Sequence, residues 1–255
     1  HAVLCRLLDP LESHPAAMGF VAGRSILKNA KVHEGQEIVA VADVHNCFPS
    51  VKWPVLYRVL ERDLGDQIGL PAVALVTELC THRGGLPMGS PASPALLNRV
   101  LYRADEILSS ESEKRGCRYT RYADDITFSG GEAAVELLGR AKSVLASAGL
   151  KLDPEKTNIF RRGRRQMVTG LVVNEKAGVP RRYRRLVRAA VDKYCKGGDP
   201  QWDGRAMTRE ELLGRVAFIR SAHPEEGSEL QEKIHEEDER RSAEASVAFY
   251  MEAGR

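Results

Sequence analysis

Residues 121–130 read RYADDITFSG, and the adjacent pair Asp124–Asp125 inside this strand-forming run decides how the chain is read. Neighbouring side chains on a strand point to opposite faces. Two carboxylates side by side repel each other and lose hydration when buried. Aspartate is a good turn residue, so one reading is the tip of a β-hairpin. The other is a metal site at that tip. The tetrapeptide alone leaves both open.

A second acid follows the apolar run IVAVA (38–42), a short buried strand that ends at Asp43. Taken alone, Asp43 reads as a strand-end cap. If this strand lies beside the 118–128 hairpin, three carboxylates converge, an arrangement that cations must neutralise. Mg²⁺, a hard ion that prefers oxygen ligands, suits such a set. Two such ions about 3.5–4 Å apart activate a hydroxyl and stabilise a departing phosphate, the chemistry of nucleotidyl transfer.

The remaining pattern is α+β. Helical spacing predicts helices from Val51, from Pro71, over 95–108 and over 132–149 with a stop at Gly149. MVTGLVV (167–173) is expected as one strand. Helices follow over 184–195 and 209–223, with a last one from about Ser228. The Gly/Pro-rich turn RGGLPMGSPASP (83–94) separates the second helix from the third.

The chain has 255 residues, 43% of them hydrophobic, enough for a sizeable core. No run is long and apolar enough to span a bilayer, and no signal peptide is evident. The five scattered cysteines lack CxxC spacing. They argue against zinc and for reduced thiols in a cytoplasmic protein. Net charge is only +3, but residues 161–188 hold a dense arginine block with Glu175 as their only acid. Arginine's planar fork suits phosphate, so this block points to nucleic acid. The acidic stretch after Pro224 reads as an exposed helix face.

Three motifs in order carry a family resemblance: DVHNCFPS (43–50), LPMGSPASP (86–94) and RYADDITFSG (121–130). Together they resemble the palm of a reverse transcriptase. NAKVH (29–33) and VTGLVVN (168–174) resemble the signatures of the retron type. GFVAGRSI (19–26), GLKLDPEKT (149–157) and the segment 211–230 resemble the pre-palm, a later palm motif and the thumb. The fold this implies is a right-hand polymerase: partial fingers and palm over 1–175, then a helical thumb over 176–255.

The resemblance also implies roles. Asp43, Asp124 and Asp125 form the catalytic centre for two Mg²⁺ ions, with the Val44 carbonyl as a further ligand and Asp125 more peripheral. Phe48 stands at the steric gate that excludes a 2′-hydroxyl. Gly89 and Ser90 lie where backbone approaches the nascent pair, a place glycine permits. Lys156 is placed to protonate pyrophosphate. Arg24 is expected on the template backbone. Asn29, His33, Thr169, Gly170, Arg181 and Arg182 are expected in RNA recognition, with Thr169 and Gly170 on a strand. Asn29 and His33 also admit a purely structural reading as satisfied buried polar groups.

The implied activity is RNA-directed DNA synthesis from dNTPs. A cognate structured non-coding RNA would serve as template and primer, and the product would be a branched RNA–DNA molecule (msDNA). The implied setting is anti-phage defence, with a possible separate effector protein. The rivals are a group II intron-like or other defence-associated reverse transcriptase, a DNA-templated polymerase and a non-catalytic nucleic-acid-binding scaffold. Met88 departs from the family's glutamine, and His45–Cys47 from its usual tripeptide. The finger strands that clamp the triphosphate are not visible before His1, so they lie outside this sequence or are abbreviated.

Overall fold

The computed structural model describes residues 3–253. Its centre is β1 (Ile38–Asp43), whose first three residues are fully buried, as a continuous apolar run requires. β1 pairs antiparallel with β3 (Asp125–Gly130) on one side and β4 (Asn158–Arg161) on the other. β2 (Arg118–Tyr122) pairs antiparallel with β3 and completes a four-stranded sheet of order β2-β3-β1-β4.

Among the described residues six α-helices accompany this sheet: α1 (Ile26–Val32), α2 (Cys47–Ser50), α3 (Trp53–Ile68), α4 (Leu70–Leu79), α5 (Ser93–Lys114) and α6 (Ala133–Ser147), after a short π-helix, Leu4–Leu8. Leu56, Leu60 and Leu64 form the four-residue stripe of α3; Leu97, Leu101 and Leu108 that of α5. These side chains pack with Ile38, Ala40, Ile126 and Phe128 of the sheet in one core. Prolines sit in the first turns of α3, α4 and α5, where a missing N–H costs nothing. Gly149, at φ 73°, stops α6 as expected.

Two expectations change. MVTGLVV is not one strand but a hairpin, β5 (Met167–Val168) and β6 (Leu171–Val172). Thr169 (φ 45°) and Gly170 (φ 81°) form its two-residue turn, since positive φ at both positions reverses the chain with the twist of its strands. The last helix begins at Pro224, because the proline takes the first-turn position.

The chain divides into two compact units, His1–Lys176 and Ala177–Arg255. The second contains α7 (Arg181–Cys195), the small hairpin β7 (Gln201–Trp202) and β8 (Arg205–Ala206), α8 (Arg209–Ala222) and α9 (Pro224–Ala253). Its apolar interior includes Val187, Val191, Leu212, Val216, Ile219 and Ile234. A capping box between Thr208 and Glu211 starts α8. No helix among the described residues is long and apolar enough to cross a membrane.

Candidate active site

Asp124 lies in a hairpin turn and Asp125 in the strand that leaves it. Tyr122 pairs with Asp125, so Ala123 and Asp124 alone make the hairpin turn, with Ala123 at φ 57°. Asp125 opens β3 and stands directly across from Asp43, the last residue of β1. Residues so paired carry Cβ atoms about 4.5–5.5 Å apart. The Val44 amide donates to the Asp124 carbonyl at 3.1 Å and ties the turn to the end of β1. Adjacent carboxylates thus come from one tight turn and one cross-strand pair.

The electrostatics reflect this crowding. Burial, and then repulsion from Asp43, raise the pKa of Asp124. Asp125 keeps an exposed surface. Even so, crowding by protein atoms, then Asp124 and Asp43, push its pKa up to about 6. The Cys47 thiol is pushed up to about 12 by burial and then by Asp124.

Lys156 is the nearby counter-charge. Its Nζ donates to Asp43 Oδ1 at 3.1 Å, and that bond raises the lysine's pKa. The segment carrying it is laid alongside β1's end: the His45 amide donates to the Lys151 carbonyl at 2.8 Å and the Asp153 amide to the Asp43 carbonyl at 2.8 Å.

The donor set suits hard divalent cations: carboxylate oxygens whose mutual repulsion a cation relieves, and a lysine ammonium already against one of them. Among the described residues, no three His, Cys, Asp or Glu side chains gather tightly enough to hold a metal ion as they stand.

The flanking motifs converge on this strand end. Asn46, in the left-handed region at φ 44°, turns the chain into α2. Phe48 is half-buried there, edge-on to Phe20 with centroids 6.4 Å apart. Leu86 donates its amide to the Phe48 carbonyl at 3.2 Å. A Cβ on Gly85 would lie 2.4 Å from the Pro49 carbonyl oxygen, so a glycine is needed where the two motifs touch. Met88 is 78% exposed. Gly89 next to it is required by its φ of 86°, since no protein atom crowds its missing side chain. Ser90 begins the return to α5, its carbonyl accepting from the Ser93 amide at 3.2 Å.

The residues expected to meet RNA are placed unevenly. Arg24, partly exposed, spends Nη1 on the carbonyls of His14 (2.7 Å), Pro15 (3.1 Å) and Ala17 (2.5 Å), so that nitrogen organises the 14–17 loop. Asn29 and His33 are buried, and neither side chain reaches solvent to meet RNA. Thr120 donates its one hydroxyl proton to Asn29 Oδ1 at 2.6 Å, so it accepts from His33 Nε2–H at 2.8 Å. His33 Nδ1 then accepts from the Ser129 hydroxyl at 2.7 Å. Burial, and then Arg118, hold this imidazole's pKa down to about 3. Asn29 Nδ2 reaches Thr169 Oγ1 at 3.4 Å, so the two short signatures meet inside the protein. Gly170 lies beside Thr169 in its turn, and Arg181 and Arg182 are exposed at the start of α7 in the second unit.

The sequence reading passed over Arg121, Asp105, Asn98 and Gly19, which support the turn from behind. The available signal was Arg121 itself, a charged residue between buried strand positions.

Residues 2–189 match the family model described as reverse transcriptase (RNA-dependent DNA polymerase). The chain belongs to the reverse transcriptase family. It is similar to two proteins of Myxococcus xanthus, the retron Mx162 reverse transcriptase (35% identical, 94% of this chain and 56% of the relative) and the retron Mx65 reverse transcriptase (34%, 89% and 56%). It also resembles the retron Ec86 reverse transcriptase of Escherichia coli (32%, 86% and 66%). The chain thus spans little more than half the length of the two Myxococcus relatives. Among solved structures, apo telomerase from Candida tropicalis superposes with a TM-score of 0.51 at 11% identity, over 83% of this chain and 44% of that one. That likeness supports the polymerase fold, α+β with palm, partial fingers and helical thumb.

Proposed function

We propose that this chain is the polymerase portion of a retron-type reverse transcriptase, copying a cognate structured RNA into DNA from dNTPs. The observation that carries this reading is the pairing of Asp43 with Asp125 across the strand end, with Asp124 in the adjoining turn. Residues 1–175 serve as palm and partial fingers and residues 176–255 as helical thumb, a division one residue from that between the two compact units. Asp43 and Asp124, with the Val44 carbonyl, would hold two Mg²⁺ ions, and Asp125 would lie at the periphery. Such ions, when bound, supply positive charge to the attacking hydroxyl and the departing phosphates.

The chain's own residues do the rest. Phe48 presents its ring five positions beyond Asp43 and excludes a sugar carrying a 2′-hydroxyl. Gly89 and Ser90 border the nascent pair. The primer hydroxyl loses its proton to water and attacks the α-phosphorus, the bond to the bridging oxygen breaks, and pyrophosphate leaves. Lys156, held protonated beside Asp43, gives that leaving group its proton. Arginines of the 161–188 block, Arg181 and Arg182 among them, neutralise RNA phosphates, while Thr169 and Gly170 present the β5–β6 turn. Asn29 and His33 act from inside by seating that turn.

In a retron setting the first attacking group is a 2′-hydroxyl of a guanosine in the RNA, and the product is branched msDNA. A cytoplasmic anti-phage role with a separate effector completes the proposal. The test is to express the protein in its native gene context and treat the co-purifying nucleic acid with RNase, DNase and debranching enzyme. A short single-stranded DNA joined to RNA through a 2′–5′ link, absent in Asp124→Asn/Asp125→Asn, is expected. Good protein recovery with no DNA would overturn the reading.

A further inference from the structure

We propose that Arg121 is the positioning residue of the catalytic turn, acting with Asp105, Asn98 and Gly19 to fix the peptide that carries Asp124. This inference rests on the polymerase reading of that site.

Arg121 and Asp105 are both fully buried. Arg121 Nε donates to Asp105 Oδ1 at 2.9 Å and Nη2 to Oδ2 at 2.7 Å, a two-pronged pair. Tyr119 Oη donates to the same Oδ1 at 2.7 Å. Stability alone does not explain this arrangement, because buried ion pairs are commonly matched or bettered by apolar side chains of similar volume. An apolar pair would leave one thing undone. Arg121 Nη1 turns away from the aspartate and donates to the Ala123 carbonyl at 2.8 Å and to Asn98 Oδ1 at 3.0 Å.

That carbonyl belongs to the peptide joining Ala123 to Asp124. The next carbonyl, of Asp124, is held by the Val44 amide, so consecutive peptides of the turn are clamped. The turn's other side is gripped through Gly19. Asn98 Nδ2 donates to the Gly19 carbonyl at 3.1 Å, and a Cβ on Gly19 would lie 2.4 Å from the Ala123 nitrogen. The Met18 amide donates to the Arg121 carbonyl at 2.6 Å. Ala123, a non-glycine at φ 57°, is therefore held on both its amide and its carbonyl side. Asp105 orients the guanidinium; the guanidinium orients the turn.

The test is the full chain carrying Arg121→Met, Asp105→Leu and Tyr119→Phe together, which removes the buried ion pair and the tyrosine hydroxyl on it while keeping their volume. Four quantities are read: melting temperature, hydrogen–deuterium exchange of the 121–126 peptide, Mn²⁺ affinity by electron paramagnetic resonance, and dTTP incorporation on poly(rA)–oligo(dT). The expected result is a folded protein with faster exchange confined to the turn, weaker Mn²⁺ binding and little change in KM. Its kcat should fall about 100-fold, the scale of a 1 Å misplacement.

Wild-type kcat and Mn²⁺ affinity in the folded variant would overturn the proposal. Should the triple variant not fold, Arg121→Lys decides. It keeps the charge beside Asp105, but one ammonium cannot span both the carboxylate and the Ala123 carbonyl. Wild-type kcat there would equally overturn the proposal. A wild-type chain that binds Mn²⁺ yet makes no DNA sinks the polymerase reading, and the Mn²⁺ and exchange measurements then judge Arg121 by themselves.

Discussion

Consecutive residues of β2 face two differently built interiors. Arg121 looks toward α5 and ends in a charged cluster with Asp105, Asn98 and Tyr119. Thr120, on the opposite side of the strand, looks toward α1 and ends in a neutral relay through His33, Asn29 and Ser129. The charged side reaches the turn that carries Asp124. The neutral side reaches Thr169, in the hairpin after the palm sheet. Charge stands where a rigid planar fork must hold a carbonyl; hydroxyls, an amide and an imidazole suffice where helix and sheet need only be matched.

The largest expected effect breaks the charged side. Asp105→Ala leaves a fully buried guanidinium without its carboxylate, which costs about 3–5 kcal/mol. Chemical denaturation checks it: loss of less than 1 kcal/mol, on the scale of an exposed pair, would mean that water or another acid reaches Arg121.

The two sides should also separate by pH. His33 has a pKa near 3 in the fold against an ordinary 6.5, so between these values the unfolded chain binds a proton that the folded chain does not. Stability contributed by the neutral imidazole is therefore complete above 6.5 and is lost as pH falls toward 3. The slope from this one proton is at most about 1.4 kcal/mol per pH unit. His33→Gln should flatten the stability profile between pH 6 and pH 4 relative to wild type. Parallel profiles would show that His33 is not the proton-linked group.

A smaller effect comes from Ser129→Ala, which removes the hydroxyl that His33 Nδ1 accepts from and leaves a buried acceptor unmatched. The expected loss is about 1–3 kcal/mol. A double-mutant cycle with His33→Gln should show coupling, since the two side chains touch.

How much of this was legible beforehand follows from where each interaction lives in the chain. Asp43, Asp124 and Asp125 were readable because strand ends and turns are local, and the β1–β3 pairing then brought them together. Helices α3 to α8 were readable from apolar spacing. The hairpin at 167–172 was hidden because Thr169 occupies a left-handed turn position that a β-branched residue seldom takes. β4 was hidden because three of its four residues are exposed and it pairs only with β1. The Arg121 cluster was hidden for another reason: Asp105 lies 16 residues earlier on α5, and no local pattern announces a partner at that separation. For Asn29 and His33 the sequence offered burial beside RNA contact and could not choose, because a polar residue carries the same letter whether it meets RNA or a hydroxyl.

Thr169 offers the smallest effect and the sharpest contrast. Holding a β-branched residue at φ 45° costs on the order of 1 kcal/mol or more, and asparagine tolerates that region far better. What threonine returns is slight: Oγ1 donates to the Ile26 carbonyl at 3.4 Å and accepts from Asn29 Nδ2 at 3.4 Å, both long. Thr169→Asn should therefore raise stability by up to about 1 kcal/mol, a gain that thermal unfolding can resolve. If the threonine serves RNA recognition, as proposed, affinity for the cognate RNA should fall in the same variant, the usual exchange of stability for function. A variant that is both more stable and unimpaired in RNA binding would remove the β5–β6 turn from the RNA surface, leaving the neutral side of β2 as packing alone.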